Sequence, residues 1–213
     1  MLSVLKRQTH KKSKKRVAQD QLRANQIKMI RTRLQKRIEA KHLSILVTTA
    51  DKSFNHSLIS YELALAFAEQ GKKTVLVDAN LKEPILHKWF EEVMPFGLVN
   101  ALQRGDIARY VQQTKIKNLS FVPYGTYTKE ALESWRIDKL EALMKVLRLQ
   151  NEVIIIESPS YLAYSETQML GELVDEVVVI VKQHKDKIGQ LRQLKNDLES
   201  NGKEISGMIY QSH

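Results

Sequence analysis

The sequence predicts an α/β fold, a doubly wound and mostly parallel sheet flanked by helices, preceded by a basic N-terminal arm and helix. Short apolar segments of strand length alternate along the chain with longer segments whose apolar residues recur at helical spacing. One segment, Val153–Glu157, has four consecutive apolar residues, which is typical of a strand buried on both faces of a parallel sheet. Parallel strands joined through helices require right-handed crossovers, so the repeated alternation indicates a doubly wound sheet.

The folded part of the chain begins with a predicted strand, helix and strand. Ser44–Thr49 is a short apolar run bounded by polar residues, which favours a buried strand. Ser57–Gln70 has a helical pattern, and Gly71 supplies the residue type that commonly ends a helix. Thr74–Asp78 is the second predicted strand.

The remaining elements continue the alternation. Pro84 fits the first turn of a helix that runs through Phe90. The last predicted helices and strands are helix Leu98–Arg104, strand Leu119–Pro123, helix Ile137–Leu149, strand Val153–Glu157, helix Thr167–Leu173, strand Glu176–Val181, helix Ile188–Ser200 and strand Ile205–Tyr210.

Charge is distributed unevenly over the 213 residues, whose formal net charge is +10. Residues 1–41 hold 14 Lys and Arg and two acids, whereas the remaining residues hold 20 basic and 22 acidic side chains. The segment Lys11–Arg16 repels itself and has nothing apolar to bury, so we expect residues 1–20 to be a disordered arm and residues 21–213 to form one domain. A solvated tail explains such an arm as readily as binding to an anionic membrane surface or an acidic partner. Nucleic acid is disfavoured as a partner, because no aromatic residues are interleaved for base stacking.

The domain is predicted to begin with an amphipathic helix over residues 21–40. Its apolar residues recur at spacings of three to five and form a narrow stripe with a basic back. They are Leu22, Ile27, Ile30, Leu34 and Ile38. The start of the chain lacks the apolar core of a signal peptide, and the longest apolar runs are too short to span a bilayer. We therefore expect a cytoplasmic protein, peripheral at the inner face of the membrane.

The loop Ala50–Ser57 has the position of a phosphate-binding loop but not its usual residues. A P-loop has Gly-x-Gly-Lys-Ser at this point, so that bare backbone N–H groups and one lysine hold the phosphates. Here the two glycines and the lysine are replaced, and the serine alone remains. The candidate cofactor-binding positions are Ser53, Asn55, His56, Ser57 and Leu58.

Two further motifs place polar residues directly after apolar runs. Asp78, Asn80 and Lys82 fall where Asp-x-Asp-x-Arg follows such a run in the bacterial tyrosine kinases of the capsule and exopolysaccharide type, and Glu157 falls at the Asp of their Asp-Thr-Pro-Pro motif. Together with the loop, these motifs resemble the cytoplasmic domain of those kinases. They are part of the P-loop ATPase group that includes the partitioning and division-site-selection ATPases. The likeness runs from about Asn25 to Gln211.

The resemblance implies Mg·ATP-dependent transfer of a phosphoryl group to tyrosine. It implies catalytic positions at Asp78, Asn80 and Glu157, and a Mg²⁺ site at Ser57 and Asp78. The family's Arg-x-Leu-Arg-Thr-Asn-Ile helix, used there in self-association, falls on residues 28–34, which implies oligomerisation through Lys28 and Arg31.

The sequence departs from the family at the residues that carry the chemistry. His56 replaces the lysine, is shorter, and has its charged form disfavoured by the dipole of the helix that it precedes. Asn80 and Glu157 replace aspartates. The family's C-terminal cluster of tyrosines, its own phosphorylation substrate, is absent, and only Tyr210 lies near the end.

Each retained residue also has an ordinary structural explanation. Ser57 could cap the helix, Asp78 could cap the turn after its strand, and Glu157 could form a salt bridge instead of holding a Mg²⁺-bound water.

Three functions are consistent with these residues. The first is a catalytically impaired tyrosine-kinase-like protein, a regulatory or binding component of capsular or exopolysaccharide production. The second is an active, divergent Mg·ATP-dependent tyrosine kinase in which Lys52 or a neighbouring subunit's arginine replaces the lost lysine. The third is a DNA-binding partitioning-type ATPase. The missing lysine disfavours the last two, since both need ATP. The resemblance further implies a membrane adaptor or an active kinase paralogue as partner, in a homo- or hetero-oligomer.

Overall fold

Strands and helices alternate along the folded chain. The computed structural model describes residues 2–38, 42–50, 56–90, 95–126, 133–182 and 187–211, with helix side chains from residue 17 onward. The strands are β1 (Leu43–Thr49), β2 (Thr74–Asp78), β3 (Gln112–Gln113), β4 (Leu119–Val122), β5 (Val153–Glu157), β6 (Glu176–Lys182) and β7 (Ile205–Gln211). The helices are α1 (Leu2–Ile38), α2 (Ser57–Ala68), α3 (Leu98–Arg104), α4 (Ile137–Gln150), α5 (Ser165–Leu173) and α6 (Ile188–Ser200).

The strands form one sheet in the order β3-β4-β2-β5-β1-β6-β7. All pairings are parallel except that of β3 with β4. Side chains of successive strand residues point to opposite faces, and each face has its own apolar cluster. One cluster includes side chains of α3, α4, α5 and α6, and the other includes side chains of α1 and α2. The result is the predicted doubly wound arrangement of a sheet between two layers of helices.

Most predicted elements are confirmed, with ends that shift by one or two residues. The predicted helix from Pro84 to Phe90 is wrong, because the segment forms only a 3-10 turn, Leu86–Trp89. The Leu86 N–H donates to Asp78 Oδ2 and not to a carbonyl of a preceding helical turn. The sequence also gave no sign of β3, a two-residue strand without apolar alternation at the edge of the sheet.

Helix α1 differs most from its prediction. It begins at Leu2 and continues to Ile38, so the predicted boundary at residue 20 lies inside one continuous helix. Residues 2–38 contain neither Gly nor Pro and are rich in Lys, Arg, Gln and Leu, whose helix propensity is high. The apolar stripe is confirmed at four of its five positions, but Leu22 is exposed. The division of the chain into an arm and a domain stays a prediction.

Side chains along α1 fix it against α2, β6 and β7. Arg23 donates two hydrogen bonds to Glu62 of α2, at 2.7 and 2.8 Å. Arg37 forms an ion pair with Glu176 at the start of β6, and Ser206 of β7 donates to the same buried carboxylate. In the part of the chain that is described, no helix is long and apolar enough to cross a bilayer.

Candidate functional site

The site lies at the carboxyl end of the central strands, where α2 begins. Ser57 is the first residue of α2 and is completely buried. His56 occupies the N-cap position, so the interpretation of Ser57 as the cap is wrong. The His56 side chain is itself 2% exposed. Leu58 lies at the surface of the helix, whereas Ser53 and Asn55 lie outside the described residues.

Two carboxyl groups lie side by side at the ends of neighbouring strands. Asp78 of β2 and Glu157 of β5 are paired in register, and both are completely buried. Asp78 accepts hydrogen bonds from the backbone N–H of Asn80 at 3.1 Å and of Leu86 at 3.3 Å. The prediction that Asp78 caps the turn after its strand is therefore confirmed.

Glu157 is the acceptor on which the other predicted residues converge. Its Oε1 accepts from Ser57 Oγ at 2.6 Å and from Asn80 Nδ2 at 3.1 Å. His56 Nε2 lies 3.8 Å from the same oxygen. Asn80 Oδ1 meanwhile accepts from the backbone N–H of Lys82 and Glu83. The three motifs predicted from sequence thus meet in one buried hydrogen-bonded network.

The electrostatics of the carboxyl pair favour a bound proton. Burial raises the pKa of Asp78 well above its ordinary value, and the neighbouring charge of Glu157 raises it further. Burial also raises the pKa of Glu157, against the opposing influence of His56 and of the hydrogen bonds from Ser57 and Asn80. Two adjacent buried carboxyls cannot both ionise cheaply, so we expect Asp78 to donate a hydrogen bond to Glu157.

The two candidate Mg²⁺ ligands, Ser57 and Asp78, are hydrogen-bonded to other groups of the protein. Mg²⁺ requires nearly ideal octahedral geometry and usually keeps several waters. Here Ser57 Oγ, the family's metal ligand, donates to Glu157, and the oxygens of Asp78 accept backbone N–H groups. Asn80 presents its amide N–H₂ to the carboxylate, where a metal needs an oxygen. Among the described residues, no group of His, Asp and Glu side chains has a metal-binding arrangement.

The rim of the site contains residues that the sequence patterns did not single out. Tyr164, next to α5, has the Lys82 ammonium 5.3 Å from the centre of its ring, a cation–π contact between the loops after β2 and β5. The signal that could have found Tyr164 is its position just after the third motif. A cavity of about 360 Å³ opens beyond β2 and β4, lined by Pro84, His87, Pro95, Pro123, Tyr124, Gly125 and Thr126.

The predicted oligomerisation residues lie on α1 and not at this site. Lys28 is exposed, and Arg31 is half-buried. The buried Nε of Arg31 has no hydrogen-bond partner within the described part of the chain. Self-association through these residues stays a prediction.

Comparison with known proteins finds relatives of this chain among bacterial tyrosine-protein kinases. No protein-family model matches the chain. The chain is 25% identical over 208 residues to "Putative tyrosine-protein kinase EpsB" of Ralstonia nicotianae, covering 95% of this chain and 28% of that protein. It is 26% identical over 190 residues to the tyrosine-protein kinase YwqD of Bacillus subtilis, covering 88% of this chain and 80% of that protein. The chain thus spans just over a quarter of EpsB and most of YwqD.

Solved structures share the fold. The VpsO kinase domain superposes with a TM-score of 0.78 at 24% identity, covering 94% of this chain and 98% of that chain. The septum site-determining protein MinD of Pyrococcus horikoshii, solved with Mg-ADP, has a TM-score of 0.65 at 19% identity, covering 78% of this chain and 69% of that chain. The homologues of this chain are therefore bacterial tyrosine-protein kinases, and its fold is that of the P-loop ATPases.

Proposed function

We propose that this protein is a catalytically impaired relative of the tyrosine kinases, a regulatory or binding component of capsular or exopolysaccharide production. One observation carries the proposal. Ser57 and Asn80, which align with kinase metal and catalytic positions, donate hydrogen bonds to Glu157 Oε1, and all three side chains are buried. These side chains stabilise the fold at the position where the tyrosine kinases that this sequence resembles would hold Mg·ATP.

The position of His56 supports the same function. A phosphate-loop lysine reaches outward to the β- and γ-phosphates as a fixed positive charge. His56 is 2% exposed, and its Nε2 lies 3.8 Å from a buried carboxylate, so the side chain is directed to the interior of the site. Phosphoryl transfer depends almost entirely on positioning and on cationic stabilisation of the transferred group. With His56 in place of the lysine, position 56 supplies neither the positioning nor the cationic stabilisation of the phosphoryl group.

Partners follow as part of the proposal. A protein that keeps the kinase fold without the chemistry acts through its surfaces. The partners in keeping with the resemblance are a membrane adaptor or an active kinase paralogue, with the basic residues 1–41 near the anionic inner face of the membrane.

Calorimetry with Mg·ADP and Mg·ATP on the full chain tests the function. We expect no measurable heat of binding and no rise in melting temperature, since a ligand of the native state must raise apparent stability. A dissociation constant in the low micromolar range for the wild-type chain would contradict the proposal.

The variant His56→Lys tests whether the missing lysine alone explains the lack of activity, apart from the missing glycines. We expect it to remain inactive towards a tyrosine-containing peptide, because Ser53 and Asn55 still place side chains where backbone must approach phosphate. The triple variant S53G/N55G/H56K is expected to bind Mg·ADP at least tenfold more tightly than the wild type, because it restores the full phosphate loop. Robust kinase activity of the single variant would show that the loop backbone was competent without the glycines.

A further inference from the structure

The sheet edge formed by β7 lacks two of the devices with which proteins usually protect an edge strand, charged residues and proline. Its sequence, Ile205–Gln211, contains no charge and no proline, and among the described strands β7 is paired with β6 alone. Met208 and Tyr210 are 53% and 41% exposed, and they project on the same side because strand side chains alternate. Long uncharged edges of this kind are ready templates for another strand.

One outward hydrogen-bonding group of β7 already has a substitute partner. The Tyr210 N–H donates to the side-chain carbonyl of Gln26 on α1, at 3.0 Å. This amide oxygen takes the place that a carbonyl of a neighbouring strand would have. Since backbone groups alternate along a strand, the N–H of Met208 points to the same open side.

A second stripe on α1 runs beside this edge. It has heptad-like spacing and passes through Gln26, so it faces the β7 side of the helix. Its members are Leu22, Gln26, Met29, Arg33 and Lys36. On either side of Gln26 the stripe is apolar and exposed, with Leu22 46% and Met29 72% exposed, and it becomes basic towards the C-terminal end of α1.

The basic end of the stripe has no acidic ion-pair partner among the described residues. Arg23 and Arg37 have carboxylate partners at Glu62 and Glu176. Arg33 and Lys36 are exposed and form no ion pair with any described residue. A second copy of the chain would bring the same charges close to them, which disfavours self-pairing along this edge.

We propose that the β7 edge and the α1 stripe form a docking surface for an extended acidic segment of a partner protein. The segment adds a strand to β7, displaces the Gln26 carbonyl from Tyr210, and places carboxylates against Arg33 and Lys36. Main-chain hydrogen bonds then supply affinity, and the basic stripe selects an acidic strand. This surface is separate from the site around Glu157 and does not rest on its lack of activity.

A ten-residue peptide of alternating Glu and Val, with a Lys/Val peptide for comparison, tests the proposal. We expect the Glu peptide alone to bind the full chain and to slow hydrogen exchange at the Met208 and Tyr210 amides. Charge reversal in R33E/K36E should weaken binding at least tenfold, whereas K88E/K145E, with the same change in net charge on distant exposed lysines, should leave it unchanged.

Two variants test whether the peptide binds through backbone hydrogen bonds at the β7 edge. Met208→Pro removes an outward N–H but no bond to β6, so the fold should persist while binding falls at least tenfold. Gln26→Ala should strengthen binding several-fold, because the peptide no longer competes with the side chain. Binding without protection of the β7 amides, equal binding of both peptides, or no binding at millimolar peptide would overturn the proposal. Concentration-dependent dimerisation with protected β7 amides would assign the edge to a second copy instead.

Discussion

Glu157 is the most informative position for a test of the buried network, because its two carboxylate oxygens have different surroundings. Oε1 accepts from Ser57 and Asn80, whereas the buried Oε2 has no donor among the described residues other than the proton that we expect Asp78 to share. Glutamine has the same shape, could keep Oε1 as the acceptor, and could donate from its amide nitrogen to Asp78. The network would then contain one buried carboxyl and no shared proton.

We therefore predict that Glu157→Gln stabilises the protein at pH 8 by about 1–3 kcal/mol, the typical cost of an unsatisfied buried polar group. The pKa values of both carboxyls are raised in the folded state, so their contribution to stability is present at low pH and is lost as pH rises through the folded pKa. The advantage of the variant should consequently grow with pH. Urea unfolding of both proteins between pH 4 and pH 8 measures it, and a gain that is largest at pH 4 would contradict the raised pKa values.

Site residues were predictable from sequence where a motif fixed them, and unpredictable where contacts decided their role. Asp78, Asn80 and Glu157 were found by their positions after apolar strands, and the structure brings them together. That Ser57 donates to Glu157 instead of capping α2 depends on the distance between β5 and the start of α2, which no local pattern encodes. Tyr164 was missed for the same reason, since its partner Lys82 follows a different strand.

At the scale of elements, the contact between α1 and β7 depends on one glycine. A Cβ atom at Gly207 would lie 2.9 Å from two side-chain carbons of Ile30, closer than carbon atoms normally approach. The absence of a side chain at Gly207 lets α1 pack directly on the edge strand. The α1 stripe and β7 are held at their present spacing by this contact.

We predict that Gly207→Ala destabilises the fold by about 1–3 kcal/mol, as overpacking usually does. Gly189→Ala is the matched control, because a Cβ there meets nothing within 4 Å and lies in a helix; its effect should be neutral or stabilising by up to about 1 kcal/mol. Thermal unfolding of the two variants gives the comparison. Ile30→Val in the Gly207→Ala background should recover part of the loss, and purely additive effects would argue against the contact.

Elements were predictable where turn signals or apolar runs marked both of their ends. Helix α6 and strands β2 and β5 have the predicted ends, because turn signals and apolar runs bound them clearly. The 3-10 turn at Leu86 and the start of α1 were mispredicted for opposite reasons. At Leu86 a tertiary hydrogen bond to Asp78 overrides local preference. In α1, helix propensity extends through the lysine-rich segment in spite of its charge.

At the scale of the whole molecule, the uneven charge predicts that the protein binds anionic membranes. We expect the full chain to sediment with anionic vesicles and to be released as salt rises, since exposed charges are screened over about 8 Å at physiological ionic strength. Deletion of residues 1–16, which removes seven Lys and Arg, should abolish most of this binding without lowering the melting temperature. Neutral vesicles are the control. Equal sedimentation with both lipids, or no effect of the deletion, would leave residues 1–16 as a solvated segment.

The strand order has a consequence for folding of the protein during its synthesis on the ribosome. β1 lies inside the sheet between β5 and β6, and these partners begin only at Val153 and Glu176. The apolar strand β1 therefore stays unpaired until most of the chain has been synthesised. Strand pairings between residues so distant in sequence form slowly. Nascent chains that end before β5 should consequently be sensitive to protease and prone to capture by chaperones, whereas chains that extend past β7 should become resistant in a single step.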